Sequence, residues 1–284
     1  MLKHLFLLAI VVIIVIGAAN AQEDSAASGE PALLSAYFGL DNALPRGANR
    51  LCRGAANQDG MPVIFSHVID PDTLDEEDFA VTTESGLVTT PVCVTLDPAT
   101  DTGELRTVLL IGEFGEADDD PPAQVEVVGE ILSSEDQPRS FLETSVEVTP
   151  LSAGPFLVIA EQVPQEQWNL GRRGRNQQGS GCPEEGTVQI VRATWAGGIS
   201  NREGDEAGEP EREAYRVTLE DGDGEETEIT PFALADLGDG DNNHLLCLDV
   251  EGTPLSVFFP EGYLLDPNED TLNPDTTVAV QPLR

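Results

Sequence analysis

The stretch DFAVTTESG, Asp78 to Gly86, reads as a half-buried strand that runs into a turn. Phe79, Val81 and Thr83 alternate with Ala80, Thr82 and Glu84, which puts the first three on one face of an extended chain. Glu84-Ser85-Gly86 then supplies turn chemistry. The same design returns at AYRVTLEDG, Ala214 to Gly222, and each copy leads on to a Thr-Pro pair, Thr90-Pro91 and Thr230-Pro231.

Outward from this pair the matching continues. VLLIGEFG (Val108–Gly115) aligns with HLLCLDVEG (His244–Gly252), PPAQVEVVGEILSSED with TPLSVFFPEGYLLDPNED, and SVEVTPL (Ser145–Leu151) with TVAVQPL (Thr277–Leu283). Upstream, Cys52 precedes Phe65 and Cys182 precedes Trp195 by the same thirteen residues. Correspondences in one order, offset by about 130 residues, predict an internal duplication. Val92, Val94 and Leu96 form another one-faced run, as do Val125, Val127 and Gly129, with Asp-Pro and Gly-rich turns between. Helical periodicity is absent beyond the N-terminus. The expected fold is all-β, two tandem β-sandwiches over residues 22–152 and 153–284, with the boundary near 152–165.

The run VIFSHVIDPDTLDEEDFAVTTESG resembles the opening of bacterial Ig-like domains of surface-layer and adhesin proteins. The residues that carry the resemblance are Phe65-Ser66, the turn Asp70-Pro71-Asp72-Thr73-Leu74, and Phe79-Ala80-Val81. It covers about 25 residues of the first copy; the second copy has Trp195-Ala196-Gly197-Gly198 and an acidic insert (Asn201–Glu213) there instead. The resemblance implies Ig-like sandwiches acting as a spacer, adhesive or ligand-binding module of a secreted protein.

The N-terminus agrees with export. Lys3 and His4 precede an apolar run from Leu5 to Ile16, and Ala19-Asn20-Ala21 offers a signal-peptidase pattern, so residues 1–21 read as a signal peptide cleaved after Ala21. Periplasm and full secretion stay open. Fifty-two acidic residues face fourteen basic ones, a formal charge of −38, which argues against nucleic-acid and anionic-membrane partners. The expected partner is a protein or polysaccharide.

Four cysteines in an exported chain predict disulfides, and four allow three pairings. The repeat favours one bridge per copy, Cys52 with Cys93 and Cys182 with Cys247, although Cys93 and Cys247 fall on successive strands. Both should point away from the core, opposite Val92/Val94/Leu96 and Leu246/Leu248/Val250 respectively.

Two loops of the second copy collect oxygen ligands. GDGDNNH (Gly238–His244), with Asp236 just before it, brings Asp236, Asp239, Asp241 and Asn243 together in the place filled in the first copy by DPATDTGELR (Asp97–Arg106). DPNEDTLNPD carries Asp266, Asn268 and Asp270. Such spacing suits calcium, but the same residues are common turn formers, so both readings stand. The second loop is no EF-hand, since Thr271 and Thr277 occupy the glycine and glutamate positions. The leading expectation is a non-enzymatic binding, adhesion or envelope protein, calcium-stabilised or not. The alternative is a secreted hydrolase with a carboxylate- or metal-dependent site near Asp239 to His244. Ser66 and His67, adjacent on a strand, should point to opposite faces and form no catalytic pair. Gly171-Arg172-Arg173-Gly174-Arg175 reads as a basic loop, a proteolytic site or an acidic contact.

Overall fold

A computed structural model describes residues 29–171, 179–268 and 271–281. The segment expected to be a signal peptide, most of the basic island and Asp270 lie outside the described residues. The first sheet holds β1 (Leu33–Tyr37), β2 (Asp59–Phe65), β3 (Phe79–Thr83), β4 (Val88–Thr89), β5 (Cys93–Thr95), β6 (Thr107–Gly112), β7 (Pro122–Val127) and β8 (Ser145–Thr149). The second holds β9 (Leu157–Gln162), β10 (Gln189–Trp195), β12 (Arg216–Glu220), β13 (Glu226–Ile229), β14 (Ala233–Ala235), β15 (Asn243–Leu248), β16 (Thr253–Phe259) and β18 (Thr276–Gln281). A small pair, β11 (Ser200–Asn201) with β17 (Leu264–Leu265), stands apart.

The sheet orders are β4-β3-β7-β8-β1-β2-β6-β5 and β13-β12-β16-β18-β9-β10-β15-β14, identical position for position. Neighbours run antiparallel except β1 with β8 and β9 with β18, which are parallel. Each sheet folds at that parallel pair into two layers around one core. In the first half Phe65, Phe79, Val81, Val108, Leu110, Val125, Val127 and Phe141 fill it. In the second, Trp195, Tyr215, Val217, Leu246, Leu248, Val257 and Phe259 do so. The two halves are similar β-sandwiches, and the segment at 157–162 opens the second one.

Register explains one difference between the cores. Phe79 faces Val127 across the ladder, whereas the residue in the place of Phe79 is Tyr215, and that in the place of Val108 is His244. The added polar atoms satisfy one another. Trp195 Nε1 donates to the Tyr215 hydroxyl at 2.8 Å, and that hydroxyl lies 2.8 Å from His244 Nδ1. Burial lowers His244 to about 4, so the imidazole is neutral and can accept.

Strand burial divides into two kinds. β3 alternates, buried on one side only, while β1, β10 and β15 are buried at every position. A strand buried on both faces has a second surface to cover. For β1 it is the other half, Leu34 and Ile64 packing on Ile159, whereas β15 turns Leu245 and Cys247 onto the disulfide cluster of its own half. The halves therefore meet along a broad seam.

Both disulfides form as the repeat implies, Cys52–Cys93 and Cys182–Cys247. They lie on the faces turned from the main cores, in small clusters with Ala48, Ala55 and Ile111 and with Val163, Ile190 and Ala235. Cys93 pairs with Ile111 in the ladder and Ala233 pairs with Cys247, so the cysteine has changed places within one register pair. Three expectations need correction. Val92 precedes β5 and is exposed, as is Val250, while Val94 and Leu96 do pack on the core. The acidic insert contains a helix, α1 (Glu209–Ala214), with Pro210 in its first turn and Glu211 accepting from the Gly208 N–H at 2.7 Å.

Replacing Cys182 and Cys247 together by alanine should cost about 4 kcal/mol, from the entropy of a 65-residue loop, in urea unfolding. Tyr215→Phe should cost about 1–3 kcal/mol by the same assay, because it leaves the Trp195 N–H buried without its acceptor.

Candidate functional site

The seam carries charge as well as apolar surface. Arg192 lies opposite Glu161 in the β10–β9 ladder, and its Nη1 sits 3.1 Å from Glu161 Oε1. The same guanidinium crosses to the first half, donating to the Gly103 carbonyl at 3.1 Å and the Thr102 carbonyl at 2.8 Å. Its Nε lies 3.4 Å from Glu104 Oε1. Arg106 crosses the other way, 2.7 Å from Glu161 Oε2. Gly103 has to be small: a Cβ there would stand 2.7 Å from Arg192 Nη1 and from Gln167 Oε1, at φ +88°.

Next to Arg192 the loop before β6 meets the loop before β15. Asp101, Glu104 and Asp236 each present a carboxylate oxygen, and these oxygens all lie within 4.8 Å of one another. All three residues are buried, Glu104 and Asp236 to 2% exposure. Glu104 Oε2 and Asp236 Oδ2 have no hydrogen-bond donor. Asp236 holds a left-handed backbone, φ 66°, and Gly179 backs the group: a Cβ there would fall 2.1 Å from Asp236 Oδ1 and 2.6 Å from Asp239 Oδ2.

The electrostatics follow from crowding. Burial pushes Asp236 up to about 11, with the charges of Glu104 and Asp241 adding to it. Burial also raises Glu104, against the pull of Arg192, and raises Asp239 and Asp241. For Arg192, burial opposes the charge, but Glu161 and Glu104 outweigh it.

The oxygen-rich loops expected from sequence are thus only partly united. Asp236 joins the cluster, and half-buried Asp239 lies beside it. Asp241 is occupied by Asn243, whose backbone N–H donates to Oδ1 at 2.8 Å and whose Nδ2 donates to Oδ2 at 2.9 Å. Asn243 Oδ1 in turn accepts from Thr194 at 2.7 Å. Asp266 serves elsewhere on the seam, accepting from the Tyr37 hydroxyl at 2.6 Å and from the Asn268 N–H at 3.0 Å. Tyr37 also reaches the Ala153 carbonyl. Asp101 and Glu104, which complete the group, were missed. The available signal was that their loop occupies the place of GDGDNNH in the repeat.

His244 shares the face of Leu246 and Leu248 and is engaged by Tyr215 in the core. Ser66 Oγ does lie 2.8 Å from His67 Nδ1, contrary to the expectation from strand alternation, because β2 ends at Phe65. That hydroxyl accepts from the Ala32 N–H at 2.9 Å and so anchors the entry to β1. It borders a cavity of about 340 Å³ in the seam, lined also by Arg106, Glu135, Glu161 and Gln167.

No family model matches the chain, and no curated protein matches it by sequence. Among solved structures, the N-terminal part of the bacterial S-layer protein SbsC aligns at TM-score 0.29 and 10% identity, over 92% of this chain and 47% of that one. Domains 1–6 of the surface layer protein SbsC align at TM-score 0.26 and 12% identity, over 93% and 42%. The chain spans a little under half the length of these structures. Likenesses at this level carry no functional argument.

A carboxyl group raised on folding binds more protons in the folded than in the unfolded state, so its contribution to stability falls as pH rises above the unfolded value. Asp59, raised to about 6 mainly by burial, and Asp236 both act in this sense. His244, lowered to about 4, works the opposite way up to its unfolded value near 6.5, so the chelator-treated protein should melt lower at pH 8 than at pH 6.5. Asp236→Asn should flatten that dependence in a calorimetric scan, since asparagine keeps the left-handed backbone and loses the charge.

Proposed function

We propose that the chain is an exported, non-enzymatic spacer or binding module of the cell envelope, built as a rigid pair of Ig-like sandwiches. The observation that carries the reading is the seam. A flexible two-domain protein would meet across a small polar contact. Here Leu34, Ile64 and Ile159 are buried between the halves, with Arg192, Arg106, Tyr37 and Asn242 bonding across them. The strand order within each half, with β5-β6-β2-β1 facing β4-β3-β7-β8, is that of immunoglobulin-type sandwiches carrying one added edge strand. This supports the Ig-like assignment in both halves, including the second, where the sequence resemblance is lost. Two disulfides accord with an oxidising compartment, and the N-terminal sequence with signal-directed export. Ligand capture, by a protein or polysaccharide, belongs to the exposed loops and the solvent-facing layer of each half.

Fractionation of the source cells with thiol labelling should find the protein outside the cytoplasm, oxidised, and starting at Gln22. Small-angle scattering should fit one fixed arrangement of the halves. Reduced cytoplasmic protein would overturn the export reading, and an ensemble of interdomain angles would overturn the rigid spacer.

A further inference from the structure

We propose that Asp101, Glu104 and Asp236 form a calcium site that ties the first half of the molecule to the second. Two of the ligands come from the loop between β5 and β6, the third from the loop between β14 and β15. The site is independent of the envelope reading, because it rests on the chemistry of the seam alone.

Three observations converge on a hard cation. The first is spacing. Calcium takes its oxygens at about 2.3–2.6 Å, so two ligands on opposite sides of the ion stand about 4.8 Å apart, and all others stand closer. The three carboxylate oxygens meet that limit. The second is the orphaned oxygens. Glu104 Oε2 and Asp236 Oδ2 are buried without a donor, and a buried carboxylate oxygen is costly unless something positive faces it. The third is the local charge. Asp101, Glu104, Asp236, Asp239, Asp241 and Glu161 gather around Arg192 and Arg106. Arg192 spends its Nη donors on Glu161 and on two carbonyls, leaving only an Nε contact at 3.4 Å for Glu104.

Ligand type selects the ion. Oxygen alone, without sulfur or imidazole, favours calcium, magnesium or manganese over zinc or copper. Magnesium requires about 2.0–2.1 Å and near-ideal octahedral geometry, whereas calcium tolerates irregular cages and bidentate carboxylates. A cage assembled from two separate loops is of the second sort. Half-buried Asp239 is placed to add an outer ligand, and Gly179 to leave room for it.

The test is a calorimetric titration of the chelator-treated mature chain with calcium chloride in about 150 mM sodium chloride, beside Asp236→Asn, Glu104→Gln and the exposed-loop control Asp223→Asn. One saturable site is expected, with a dissociation constant at or below about 1 mM, the range of extracellular modules. Either cluster variant should weaken it at least tenfold, and the control should leave it unchanged. Calcium should raise the melting temperature of the native chain and of the control only. Absence of saturable binding to the native chain, which needs no variant to fold, would show that a proton shared between Asp236 and Glu104 holds the cluster, and would overturn the proposal. So would binding that persists undiminished in both cluster variants, or a magnesium titration of equal strength.

Discussion

A sheet surface buried on both sides governs this molecule. β1, β2 and β10 each give one face to a sandwich core and bring residues of the other to the seam, among them Leu34, Ile64 and Arg192. The seam's buried polar groups need partners there, since burial without one is costly. Arg192 is the centre of that arrangement. Its guanidinium is buried among Glu161, Glu104 and two main-chain carbonyls, and removal of such a partner leaves uncompensated charge at a cost of about 3–5 kcal/mol. The same two strand positions serve the other end of the seam as Tyr37 and Pro62, where Gly197 gives them room. One end is thus an ion pair and the other a hydroxyl between a carboxylate and a carbonyl.

The carboxylate group beside Arg192 is the counterpart of this pairing. The arginine anchors the halves by sharing its donors among several acceptors, and Glu104 Oε2 and Asp236 Oδ2 are left beside that network without a donor. Structural need accounts for Asp241, Asn243 and Asp266, whose oxygens are all used in turns and cross-links. It does not account for Asp236, which adopts a left-handed backbone to stand next to like charge. Residues that pay strain for an unfavourable neighbour are those whose role lies in something added to the fold.

Much of the architecture was legible because repeated strands repeat their alternation. Phe79-Val81 and Tyr215-Val217 announce the same half-buried strand, and the two sheets keep one order. The disulfides were legible for the same reason, down to the mismatch of Cys93 with Cys247, which register resolves as the two sides of one cross-strand pair. The seam was not legible. A continuous apolar run such as Val108 to Ile111 fits a strand buried on both faces, but says nothing of what covers the second face. Asp101 and Glu104 escaped notice because they join Asp236 only through that contact. Ser66 and His67 were misread because alternation was carried past the end of β2.

The parallel pairs β1–β8 and β9–β18 have a mechanical consequence. In each half the strand entered first and the strand left last run side by side in the same direction, joined at Ala36–Val148 and at Ala160–Val280. Tension applied along the chain draws the two strands of such a pair past each other lengthwise. Their slanted ladder bonds are then loaded together and not opened one after another. Each half of the molecule is accordingly built to resist stretching along the very axis on which a tether between two surfaces would pull.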